Sequence, residues 1–410
     1  MPEFNIFTLK NGIRVVHKEV TYTKVAHCGF ILDIGSRDET EDLQGLAHFW
    51  EHMAFKGTEK RKSIQIINRL EILGGELNAY TTKEKICFYA SLLGVHYEKA
   101  MELLKDITFY SVFPQKEMEK EKSVILEEML MYQDTPEDAI QDNFEGLVFK
   151  SHPLGFNILG TAESVKSFRT DTFKKFIKEH LDTSKIVFSS IGNIPFKKVK
   201  ELAEKYFSDI PSSHSSKKRV PFKKYKPSTV IIEKPITQAH CVIGRNAYAI
   251  KDKKRIPFFM LTNILGGPGL NSRLNLSLRE KNGLVYNIEA NYSPFIDTGL
   301  IEIYFGTEKK QLNKTLDLAL KELKKLKTVP LSTTQLHNSK EQIMGQLAMT
   351  EESNISLMQL MGKSILDLGY IDSIEDIFKQ IRKVTSQELL ELANELFNED
   401  ELTFLKYIPQ

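Results

Sequence analysis

The order of apolar and polar segments along this chain repeats. VAHCGF at 25–30 is echoed by QAHCVIG at 238–244, and in each half an apolar helix, a two-strand segment, a charged amphipathic helix, a proline and a long helix follow in that order. The charged helices are HYEKAMELLKDI at 96–107 and LNKTLDLALKELKKL at 312–326, where apolar residues recur every three or four positions. VILEEM at 124–129 then aligns with QIMGQL at 342–347, once a few inserted loop residues are allowed between the two matches. Between the halves lies PSSHSSKKRVPFKKYKP, residues 211–227, rich in Ser, Pro and Lys and without helical or strand period. It reads as a linker crossing open water. The pattern predicts an α+β fold of two homologous domains, residues 1–210 and 228–410, each a mainly antiparallel sheet with helices packed on it.

Composition narrows the function classes. With 410 residues, 41% of them hydrophobic, the chain is too long for one ordinary core. Lys and Arg number 56 against 54 Asp and Glu, so no global field draws in nucleic acid or an anionic membrane. Cys28, Cys87 and Cys241 are odd in number and far apart, which fits buried free thiols better than a disulfide framework or a metal knuckle. The segment MPEFNIFTLKNG lacks a basic stretch followed by an apolar run, and no long uncharged apolar run occurs. A cytoplasmic location without membrane attachment is the expectation.

The candidate chemistry lies in EDLQGLAHFWEHMAFKGT, residues 41–58, which reads as a helix beginning after the acidic stretch and ending at Gly57. At 100° per residue, Leu43, Leu46, Ala47, Trp50 and Met53 form an apolar stripe, while His48, Glu51, His52 and Phe55 share another face. Two imidazoles one turn apart, with a carboxylate between them, suit a catalytic zinc: neutral ring nitrogens bind the metal, and the carboxylate can take a proton from water. Two surface histidines bridged along a helix are the competing reading.

The run from GSRDE through GLAHFWEHMAFKGT to GGELNAYTTKE resembles the pitrilysin and insulin-degrading family of zinc metallopeptidases, most closely its mitochondrial processing peptidase branch. The resemblance covers nearly the full length, including the duplicated domains. It implies a zinc endopeptidase of the HxxEH type holding one Zn2+ per chain, with His48 and His52 as ligands and Glu51 as general base. The third ligand would be a glutamate about 76 residues beyond His52, which lands on Glu128. Glu127, about 100° away on the same helix, is the fallback. Glu121 lies seven residues earlier, about 10 Å along the axis, and fits an outer role accepting the second N–H of a ligand histidine.

In the family, the first strand of GGELNAYTTKEKICFYASLL is a sheet edge that takes the substrate backbone as an added strand, which assigns Asn78 and Ala79 to peptide binding. A hairpin with Asn78 at its turn is the alternative. The second half lacks the metal motif: its aligned helix is the apolar IPFFMLTNILGG, and Gln346 stands where Glu128 would. It does carry Arg279 and Tyr286, matching an Arg and Tyr pair that in family members reaches the substrate and assists the reaction. LGGPG at 265–269 has no phosphate-loop spacing and suits a mobile loop. Family members of this length form half of a clamshell and work as dimers enclosing peptides or unfolded protein in a chamber, so a homodimer is expected, or a heterodimer with a related subunit. Because the family also includes members that have lost catalysis, a peptide-binding or scaffold subunit is the rival function.

Overall fold

The computed structural model describes residues 3–410. Among the described residues, eleven strands form two sheets. The first contains β1 (Asn5–Thr8), β2 (Arg14–Glu19), β3 (Val25–Leu32), β4 (Glu76–Thr81), β5 (Ile86–Leu93) and β6 (Ile186–Gly192), in the order β1-β2-β6-β3-β5-β4. The second contains β7 (Thr229–Lys234), β8 (Ala239–Ala247), β9 (Val285–Pro294), β10 (Gly299–Thr307) and β11 (Thr403–Pro409), in the order β7-β11-β8-β10-β9. Without β1, the first order maps strand for strand onto the second. Polarity agrees too: β2 with β6 and β7 with β11 are parallel, and every other pair is antiparallel. The repeated His-Cys echo falls on the equivalent strands β3 and β8, with Cys28 and Cys241 both fully buried. The expected duplicated α+β architecture with mainly antiparallel sheets is what the chain adopts.

The chain divides into two compact units that are not contiguous in sequence. The first comprises residues up to Met129, Phe156–Val220 and Met349–Ile371; the second comprises Leu130–Gly155, Pro221–Ala348 and Asp372–Gln410. In the first unit, one sheet face packs Phe30, Phe88 and Phe188 against Trp50 and Leu104. The other face packs Val16, Ile31, Val187 and Ile191 against Leu357, Met358, Met361 and Ile365 of helix Asn354–Asp367. That helix lies so close to the sheet that a Cβ on Gly362 would sit 2.4 Å from Ile31 Cδ1, so a larger residue there would force the Ile31 side chain to shift. Central β6, IVFSSIG, is buried throughout because both of its faces are covered. In the second unit, helix Pro136–Val148 plays the same part, placing Ile140 and Phe144 against Val242, Leu300 and Tyr407.

Residues 211–228 form neither helix nor strand, but they do not simply cross open water. Arg219 grips Asp38 through Nε at 2.9 Å and a terminal nitrogen at 2.8 Å, and reaches Asp33 Oδ1 at 2.8 Å. Its fork matches carboxylate geometry, so a segment that looks like a solvated basic tether is pinned to the first unit. Among the described residues, no helix is long and apolar enough to cross a membrane.

Candidate metal centre

The histidine-bearing helix runs from Leu46 to Ala54, later than its sequence pattern suggests. Glu41–Leu43 forms a separate 3-10 turn, and Gly45 adopts a left-handed conformation with φ 90° before the helix starts. A side chain at Gly45 would also meet the Leu159 carbonyl at 2.4 Å. Buried Glu39 accepts the backbone N–H of Gly45 at 2.9 Å and of Ala47 at 2.7 Å. A carboxyl group thus caps amide donors that the first helical turn leaves free. Leu46, Ala47, Trp50 and Met53 are fully buried, which turns His48, Glu51 and His52 to the other side.

Helix Gln115–Gln133 supplies the facing carboxylates. His48 Nε2 and His52 Nε2 are 3.2 Å apart, and Glu128 Oε2 lies 3.8 Å from the first and 3.5 Å from the second. Among the described residues, these three form the group able to hold a metal, with one ligand atom from each within 4.8 Å of the others. Glu127, by contrast, is exposed. Glu121 Oε1 meets His52 Nδ1 at 3.0 Å, and its other oxygen meets Lys56 Nζ at 2.6 Å. An ionised carboxylate only accepts, so His52 carries its proton on Nδ1 and presents a lone pair at Nε2. Among the described residues, His48 Nδ1 is buried without a hydrogen-bond partner.

Electrostatics sharpen this arrangement. Burial, then repulsion from His52, pushes His48 down to about 3, so its ring is neutral. Burial raises the Glu128 carboxyl above its ordinary range, against the pull of His52. Burial also works against the charge on Glu121, yet hydrogen bonds from His52 and Lys56 hold that carboxyl below its usual value. Burial raises Glu51, opposed by a hydrogen bond from Thr81 Oγ1 to Glu51 Oε2 at 2.6 Å. Two imidazole lone pairs and a carboxylate facing one another are unfavourable unless a proton or cation lies between them. Two nitrogens and one oxygen, with an outer carboxylate orienting one ring, fit a zinc ion.

The other sequence-derived candidates fall in two places. Asn78 and Ala79 lie within β4, opposite Tyr89 and Phe88 of β5, so Asn78 is not at a turn. Strand β4 ends the order of its sheet, and Asn78 is exposed while Ala79 packs against the core. Arg279, on the π-helical turn Asn275–Glu280, places its guanidinium 5.5 Å from the Tyr286 ring centroid, and Tyr286 on β9 is 84% exposed. Both belong to the second unit. There, on the helix aligned with the histidine helix, Asn263 Nδ2 donates to Gln346 Oε1 at 2.9 Å. Glu39, Lys56 and Thr81 are contacts that sequence reading misses; Thr81 lies inside the quoted GGELNAYTTKE run, but no spacing rule ties it to Glu51.

Comparison with known proteins gives the family. Residues 14–162 match the family described as Insulinase (Peptidase family M16), and residues 167–343 match the Peptidase M16 inactive domain. The chain is 33% identical over 396 residues to the uncharacterized zinc protease YmxG of Bacillus subtilis, covering 96% of each chain. It is 32% identical to an uncharacterized zinc protease of Rickettsia bellii, covering 96% of this chain and 95% of that one. Its fold matches the crystal structure of a protease from Helicobacter pylori with a TM-score of 0.90, at 21% identity and full coverage of both chains. Sequence similarity over nearly the whole length, together with both domain matches, makes this chain a member of the insulinase family of zinc metallopeptidases, peptidase family M16.

Proposed function

We propose that this chain is a zinc-dependent endopeptidase of the HxxEH type, with His48, His52 and Glu128 as ligands of one zinc ion and Glu51 as general base. The observation that carries the reading is the convergence of those three ligand groups, with Glu51 on the same face of the histidine helix. Zinc bound there would polarise the peptide carbonyl and lower the pKa of its water to about 7. Glu51 takes the proton of the attacking water on a carboxylate oxygen and hands it to the leaving nitrogen; its burial-raised basicity suits both transfers. Glu121 holds the His52 ring in the tautomer that offers Nε2. The edge of β4 around Asn78 and Ala79 takes the substrate as an added strand, gripping main chain and so tolerating varied sequences. Tyr286 donates to the developing oxyanion, and Arg279 fixes the substrate backbone or the tyrosine. Substrates are peptides or unfolded protein enclosed between two chains, as a homodimer or with a related subunit, in the cytoplasm.

The test is mass-spectrometric mapping of cuts in a mixed peptide library, with zinc per chain measured on the same sample. Internal cuts that disappear with a chelator and return with added zinc are expected. One bound zinc with no cleavage would replace the peptidase by a metal-binding or scaffold subunit.

A further inference from the structure

We infer that Thr81 is a positioning residue for Glu51, tying the general base to the strand edge that receives the substrate; this rests on the peptidase reading above. The bond is short, 2.6 Å from Thr81 Oγ1 to Glu51 Oε2, and joins two elements with separate duties. Glu51 sits on the histidine helix, and Thr81 is the last residue of β4, paired with Ile86 of β5. Glu51 Oε1 has no protein hydrogen-bond partner among the described residues, so the threonine occupies one oxygen and leaves the other to accept a proton.

A carboxylate on a glutamate side chain has a broad terminal torsion and no intrinsic preference for which oxygen faces a reactant. One donor anchored on a stiff support removes that freedom. Threonine is such a support: branching at Cβ restricts its χ1, and its backbone belongs to a sheet ladder. Along β4 the faces alternate, so Thr81 shares the helix-facing side with Leu77 and Ala79, both packed against the core that includes Trp50, while exposed Asn78 lies on the opposite face. A peptide added along β4 would order the end of that strand and, through Thr81, hold the base in register with the bound backbone. The residue acts on alignment and not on affinity, so removing its hydroxyl should slow turnover while leaving the Michaelis constant nearly unchanged.

The experiment compares Thr81→Val, which keeps shape and loses the donor, with Thr81→Ser, which keeps the donor. On one fluorogenic peptide, Thr81→Val is expected to lower kcat by roughly 10- to 100-fold, the loss of one hydrogen bond to a charged group, with KM within about twofold and zinc content unchanged. Thr81→Ser should recover most of the rate. A second readout needs no turnover: the side-chain carboxyl 13C resonance of Glu51 in metal-free protein, assigned with Glu51→Gln, should move in Thr81→Val and stay near wild type in Thr81→Ser. Equal kcat for Thr81→Val and wild type, or an unmoved resonance, overturns the inference. If wild-type protein cleaves no peptide, the peptidase reading falls, and the inferred tie between base and substrate strand is overturned with it.

Discussion

The two units use one strand order and one pattern of polarity to opposite chemical ends. Where the first sets His48, His52 and Glu128 around a common point, the second places Asn263 against Gln346, a neutral pair joined by a hydrogen bond. The scaffold tolerates both because the site lies on helix faces that the sheet supports but does not specify; function here is a set of side chains carried on a fold.

The sharpest way to break the comparison is to write the second unit's residue into the first. Glu128→Gln should strip zinc and abolish peptide hydrolysis, a loss exceeding the roughly 10- to 100-fold cost in metal affinity of removing an outer partner; full zinc occupancy by metal analysis would remove Glu128 from the ligand set. Glu51→Gln should keep zinc and lose at least ~100-fold in turnover, since the amide cannot take a proton. Near-normal rates in that variant would end the mechanism. For the second unit, Tyr286→Phe is expected to lower kcat by about 100- to 1,000-fold with KM little changed if its hydroxyl meets the oxyanion, while Arg279→Ala raises mainly KM. Unchanged kinetics in both would leave that unit without a chemical part. Glu121→Gln should weaken zinc binding by roughly 10- to 100-fold, read by competition with a chromophoric chelator. The smallest effect belongs to Gln346→Ala, which should cost about 1 kcal/mol in a urea titration and leave zinc content untouched. A change in zinc content there would contradict the division of labour.

Much of this organisation is legible in the residues. The His-Cys echo marks equivalent central strands because a buried strand tolerates few substitutions in volume, and the i, i+4 histidines define a helix face whatever surrounds them. The carboxylate partner is legible only through the spacing that the family resemblance implies: the helical step between Glu127 and Glu128 says that one of them can face the imidazoles, and it is the structure that brings Glu128 to them and leaves Glu127 exposed. Other features are hidden because they depend on distant pairings. The histidine helix starts at Leu46 because Glu39 and the Leu159 carbonyl act on Gly45 from outside the local pattern. Arg219 looks like a solvated tether charge until Asp33 and Asp38 are brought beside it. Thr81 gains meaning only when β4 approaches the histidine helix.

The helix Asn354–Asp367, packed on the outer face of the first sheet, has a consequence for biosynthesis. The strands of that sheet are complete once Gly192 has left the ribosome, but the apolar surface of Val16, Ile31, Val187 and Ile191 stays bare until the helix emerges, roughly 10 to 35 seconds later at ordinary rates of translation. That face of the first sheet therefore cannot be covered until late in synthesis. A nascent chain of this protein carries that apolar surface uncovered while the residues from Gly192 to Asp367 are made, somewhat under half of its synthesis.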